Sequence, residues 1–281
     1  MVRYNSNILM TILLTIAGIY VILGVLLNIP LSETMFMLGL TLIFLIIVVI
    51  HGWKTLGPRE LLIFFLLAYS LTMIYEFTDG LGFGEFVHCQ AYYTDLLGPK
   101  FFDKIPYVIP LVWSLSLYCA FTMTNIIFNR LSITHTFKET VSRKWFLKIT
   151  GMGVVTGAIM VSWDLLADPV LVKMGAWSWM NGGHYFGIPI WNYEAWLEIP
   201  LVLFIIYTYY LYKIGKSQRY IGGEKKSVYT LFVVILYLGL LILFSLYALH
   251  VEIIYAIPFA AISMGTWIII TITQFYRHRS T

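Results

Sequence analysis

Asp164 and Asp168 stand four residues apart in the run Trp163-Asp164-Leu165-Leu166-Ala167-Asp168-Pro169. On a continuing helix that spacing sets both carboxyl groups on one face. Two carboxylates so close in partly desolvated surroundings do not both ionise at low cost, so one is expected to keep its proton to higher pH. A carboxylic acid held protonated near neutrality is what a general acid requires. The simpler reading of Asp168 is an N-cap with Pro169 opening a new helix, because the residue before a proline is disfavoured in helix. Asp164 lies inside the end of an apolar run, where an ionisable residue is a functional candidate by default. Glu76 closes another apolar run in the same way. Glu194 and Glu198 head a third, where a helix N-terminus welcomes negative charge without any chemistry.

Other chemistries find less support. Trp177, Trp179, Trp191 and Trp196 suit either an interfacial aromatic belt or a pocket for a long conjugated or isoprenoid chain, whose ring faces would also steady a passing cation. The Gly80-Leu81-Gly82-Phe83-Gly84 stretch follows no strand, which excludes a nucleotide fold. His51, His88, His135, His184, His250 and His278 are scattered without metal-ligand spacing, and His250 with Glu252 reads as a solvent-facing turn. Cys89 falls in a polar loop and Cys119 in an apolar run, so no disulfide is expected. There is no serine nucleophile motif and no P-loop.

The elements that must position these residues are membrane helices. Of 281 residues, 60% are hydrophobic and 11% charged, and the mean hydropathy is +0.83. A soluble domain carries about 25% charged residues, so this chain cannot clothe a water-facing surface. Apolar runs of the length a bilayer needs, about 20 residues, fall at 8–28, 33–50, 58–75, 106–128, 149–166, 194–214, 228–249 and 253–275. The first is too long for a signal-peptide core and is expected to stay as a helix. The fifth is among the shortest, and its Gly151, Gly153 and Gly157 suit close helix contact.

These spans predict an all-α polytopic bundle, with residues 1–281 forming a single transmembrane domain. With both termini placed in the cytoplasm, every Lys and Arg except Lys100, Lys104 and Lys173 falls inside, as the positive-inside rule asks. All acids but Glu60, Glu139 and Glu224 then lie on or near the outer side. The net charge of +4 sits in short inner loops and is no nucleic-acid signature. Two long outer segments, acidic and aromatic, run over 76–104 and 164–198, so chemistry is expected toward the outer face.

The run from Asp164 through Pro169, then Gly175-Ala176-Trp177-Ser178-Trp179 and Tyr185-Phe186-Gly187-Ile188-Pro189-Ile190-Trp191-Asn192, resembles the carotenoid hydratase family of membrane proteins. Glu76, Tyr93-Thr94-Asp95, Leu97-Gly98-Pro99, Pro106 and Trp113 resemble the family's other motif region. The resemblance covers roughly residues 76–196. The sequence departs from the family pattern at Gly82-Phe83-Gly84, which lacks a proline, and at Tyr193 and Ala195, where Phe and Gly are more usual.

What the resemblance implies is addition of water to the terminal carbon–carbon double bond of an acyclic carotenoid, in the cytoplasmic membrane of a prokaryote, beside other enzymes of the pathway. No redox cofactor and no metal is required. Under this reading Asp164 is the acid, Asp168 its charge partner or the base that activates water, and Glu76 the alternative base. Asn192 and Tyr185 position water or the intermediate, and Trp177, Trp179, Phe186, Trp191, Tyr93 and Trp113 line the substrate site. Asp95, a loop residue, is expected to be structural. Two other readings share these residues: a carotenoid cyclase or isomerase using the same protonation, and a non-enzymatic transporter or binder of lipid or pigment. A transporter is expected to show inverted repeats, and the two halves of the chain show no convincing one.

Overall fold

The computed structural model describes residues 6–26, 32–78, 91–128, 142–214 and 228–279. The glycine stretch 80–84, His88, Cys89, His135 and the basic loop 216–226 lie outside these residues. Eight helices carry the described chain: α1 (Ser6–Val21), α2 (Glu33–Thr55), α3 (Pro58–Thr78), α4 (Val108–Ile127), α5 (Arg143–Lys173), α6 (Ile190–Lys213), α7 (Phe232–His250) and α8 (Ile257–Arg279). Each, with its flanking turns, is long and apolar enough to cross a membrane, so the chain is a polytopic helical membrane protein. A π-helical turn, Ile22–Leu26, extends α1.

α4 is the axis of the bundle. Its side chains are buried nearly all round, and α2, α3, α5, α7 and α8 all pack on it. α5 and α6 form the most extensive helix pair. A Cβ built on Gly157 would lie 2.9 Å from the Leu197 Cα, and one on Gly153 would lie 3.1 Å from the Leu201 Cα. Those two glycines let the backbones close up where lipid offers no hydrophobic drive between helices. Gly151 faces open space and does not share that role.

α5 corrects two expectations. A span expected to be among the shortest is the longest helix among the described residues, 31 residues, capped by the Ser142 side chain, which accepts from the Trp145 N–H. Asp168 is no N-cap either, because the helix runs on through Pro169. Proline has no N–H to donate to the carbonyl one turn back, here that of Leu165. The Tyr185 hydroxyl supplies the missing donor at 2.8 Å, so the helix continues with that carbonyl satisfied. Asp164 and Asp168 therefore stay on one helical face.

α6 likewise begins ahead of the expected start at residue 194. Pro189 precedes its first turn, that turn carries Asn192, and Glu194 and Glu198 fall deeper in the helix.

Short strands tie the connecting segments to the bundle. β1 (Ala91–Tyr93) pairs antiparallel with β4 (Trp177–Trp179), setting Tyr93 opposite Trp177 and Ala91 opposite Trp179. The Thr94 hydroxyl donates to the Gly175 carbonyl at 2.8 Å and locks the same joint. β2 (Lys100–Phe101) and β3 (Ile105–Pro106) form a hairpin turned by Phe102 and Asp103, whose φ values of 49° and 57° are those of a left-handed turn. Asp95 opens a 3-10 turn and pairs at 2.7 Å with Lys100.

Candidate active site

The site lies at the end of the bundle where α3 and α5 finish and α4 and α6 begin. Asp164 and Asp168 come from the last turns of α5 and are 3% and 1% exposed. Burying two carboxyl groups together is expensive unless donors hold them. One donor is shared: the Asn192 amide nitrogen lies 2.9 Å from Asp164 Oδ2 and 2.6 Å from Asp168 Oδ2. Both partners accept, so the amide must present its nitrogen and not its oxygen. The start of α6 at Ile190 brings Asn192 to this point, bridging α5 and α6, the most extensive helix pair among the described residues.

Asp168 has a further donor, the Trp177 indole N–H at 2.8 Å from Oδ1. The Trp179 indole N–H lies near Asp168 but outside hydrogen-bond geometry, buried and without a partner among the described residues. The alternation of Trp177, Ser178 and Trp179 along β4 turns both indoles to one face and Ser178 to the other.

The third carboxylate, Glu76, sits at the end of α3 and accepts from the Tyr93 hydroxyl at 2.9 Å. Burial, and then the neighbouring Glu76 carboxylate, push the Tyr93 hydroxyl well above its usual range, so it stays a donor. Tyr93 also packs edge-on against Trp177, with ring centroids 5.7 Å apart.

These residues border a cavity of about 270 Å³. Asp164, Asp168, Glu76, Asn192, Tyr93, Trp113, Trp177, Trp179 and Trp191 all reach it, so nine of the residues singled out in the sequence meet on one space. Two do not. Tyr185 and Phe186 stand outside its wall: Tyr185 is occupied with the Leu165 carbonyl, and Phe186 packs edge-on against Tyr185 in a turn where its own φ is 52°. The Tyr185 hydroxyl is pushed up to about 12, by burial and then by the nearby Asp164, and remains a donor across the neutral range.

The structure adds residues that spacing could not nominate. The β2–β3 hairpin delivers Asp103 and Lys104 to the cavity mouth. Trp196 stacks on Trp113 with centroids 3.7 Å apart and planes 18° from parallel, and Trp163 meets Trp196 edge-on at 5.3 Å. Trp196, which suited a membrane belt equally well, is thus a wall of the site. Chemically, the arrangement offers a carboxyl pair that can donate and accept a proton, a further carboxylate, and indole faces able to stabilise a cation.

Among curated proteins and solved structures, none matches the chain. A family model does, over a stretch that contains the whole site. Residues 33–267 match the model of carotenoid biosynthesis proteins, and the chain belongs to that family.

Proposed function

We propose that this carotenoid biosynthesis protein is a hydratase that adds water across the terminal double bond of an acyclic carotenoid end group, within a single transmembrane domain. The observation that carries the reading is the buried Asp164–Asp168 pair sharing the Asn192 amide beside a cavity walled by tryptophans. Asp168 accepts from two N–H groups and is the member suited to be the carboxylate. Asp164, with one donor, carries the proton.

Asp164 transfers that proton to the less substituted carbon of the terminal alkene, leaving a tertiary cation on its neighbour. The faces of Trp113 and Trp177 and the Asp168 carboxylate hold the charge. Water adds to the cation, Asp168 takes the proton that the water loses, and the pair returns it to Asp164. The net change is one water added and a tertiary alcohol formed. Glu76, fixed by Tyr93, lies on the same cavity and orders the incoming water.

The charge distribution supports a threading with this end of the bundle on the outer aqueous side and both termini in the cytoplasm. In a Cys89→Ser background, a cysteine placed in the 216–226 loop then reacts with an impermeant thiol reagent only from the cytoplasmic side. For the activity, the test is expression in a lycopene-producing bacterium with mass analysis of the pigments. Hydration predicts a product heavier by one water, absent with Asp164→Asn. A product of unchanged mass but altered retention would refute hydration in favour of cyclisation or isomerisation.

A further inference from the structure

A second cavity, about 410 Å³, opens between α1, α2, α4, α5 and α7 and meets the first. The two share Ile109, Trp113, Asp164, Trp177 and Trp196. Among the described residues lining the second, Asp164 is the sole ionisable side chain; Asp168, Asn192, Glu76 and Tyr93 border the first alone. Helical spacing on α5 accounts for the division. Asp164, Ala167 and Leu171 follow one stripe, which faces the apolar cavity, while Asp164 and Asp168 follow another, which faces the polar one.

We infer that the apolar cavity is the holding site for the terminal segment of a linear polyisoprenoid, which meets Asp164 from the lipid side while water meets the same centre from the polar cavity. The inference rests on the hydratase reading and deepens it by giving each reactant its own chamber. The apolar chamber is of a size that encloses a drug-sized ligand. It therefore takes the end of a carotenoid and leaves the remaining polyene to lie along the outward-facing helices in lipid. The occupant is a hydrocarbon with no headgroup, because Asp164 offers a buried carboxyl and, among the described residues, no cation stands on the wall to meet a phosphate. The division also explains why two carboxyl groups are needed: one is reached by alkene, the other by water.

Gly18 on α1 and Gly239 on α7 line the chamber, and a Cβ built on either meets nothing within 4 Å. A side chain can therefore be started at either position without displacing backbone. The experiment compares Asp164→Asn with the triple variant Asp164→Asn/Gly18→Leu/Gly239→Phe, each purified from the lycopene-producing host. Bound pigment is measured by polyene absorbance and by quenching of tryptophan emission. The expected result is that Asp164→Asn retains lycopene and the triple variant loses it by about tenfold or more. Asp164→Asn/Gly239→Ala, which adds a single methyl group, retains an intermediate amount and guards against a folding defect in the larger variant. Equal lycopene in all three, no lycopene in Asp164→Asn, or phospholipid in place of lycopene as the molecule that filling expels would overturn the inference. Lycopene held in this chamber with no water added by the unmutated protein would instead overturn the hydratase reading and leave the chamber assignment standing.

Discussion

The two ends of the bundle each bury a polar network, and their difference separates a clamp from a site. At the end opposite the carboxylates, His51 Nε2 donates to the Tyr229 carbonyl at 3.1 Å, which leaves Nδ1 to accept from the Tyr118 hydroxyl at 2.6 Å. The Tyr118 hydroxyl also meets the Thr55 hydroxyl at 2.7 Å, and the His51 ring stacks on Tyr229. Donors and acceptors match, neither of the two cavities reaches the group, and the result ties α2, α4 and the start of α7 together. At the Asp164 end, acceptors crowd around few donors and the network borders empty space on two sides. A closed network buys rigidity, whereas an open one leaves capacity for a substrate.

The sharpest test of that contrast is to break one member of each. Asp164→Asn removes the acid and is expected to cut turnover by about a hundredfold to ten-thousandfold, with the helical fold retained, in a carotenoid turnover assay. Tyr118→Phe breaks the clamp, so the expected loss is in stability, about 1–3 kcal/mol in an unfolding titration, with turnover per folded molecule unchanged. Turnover lost with stability intact in Tyr118→Phe would erase the distinction between the two ends.

Smaller effects sharpen the picture within the open end. Asn192→Leu withdraws the donor common to both carboxyl groups and is expected to cost about tenfold to a hundredfold in turnover, the kinetic equivalent of one buried charge-assisted hydrogen bond. Trp177→Phe keeps a ring face and deletes the N–H, so the loss it causes measures the hold on Asp168 apart from cation stabilisation. Tyr185→Phe should have the least effect, about 1 kcal/mol of stability, since it leaves the Leu165 carbonyl unpaired beside Pro169 without touching the cavity. If Tyr185→Phe matched Asp164→Asn in its loss of turnover, Tyr185 would belong to the chemistry and not to the helix.

Eight helices were legible because a bilayer demands long apolar runs, and that demand overrides local detail. The carboxyl pair was legible from its spacing alone, because a helix converts four residues into one turn. Pro169 misled for the opposite reason: proline ends a helix unless a distant group replaces the lost bond, and no local signal names Tyr185 as that group. Asn192 could be nominated only through family resemblance, since its meeting with Asp164 depends on how closely Gly153 and Gly157 let α6 approach. Three-residue strands leave no periodicity to read, so the pairing of Tyr93 with Trp177 was hidden. The apolar chamber was hidden too, being a space between helices distant in sequence.

The central claim is that water adds at a centre served by Asp164 and Asp168. It is tested most directly by incubating the purified protein with lycopene in water enriched in heavy oxygen and analysing the product by mass. The account predicts a tertiary alcohol carrying one solvent oxygen, formed by the unmutated protein and not by Asp164→Asn. A product without solvent oxygen, or equal labelling by Asp164→Asn, would contradict it.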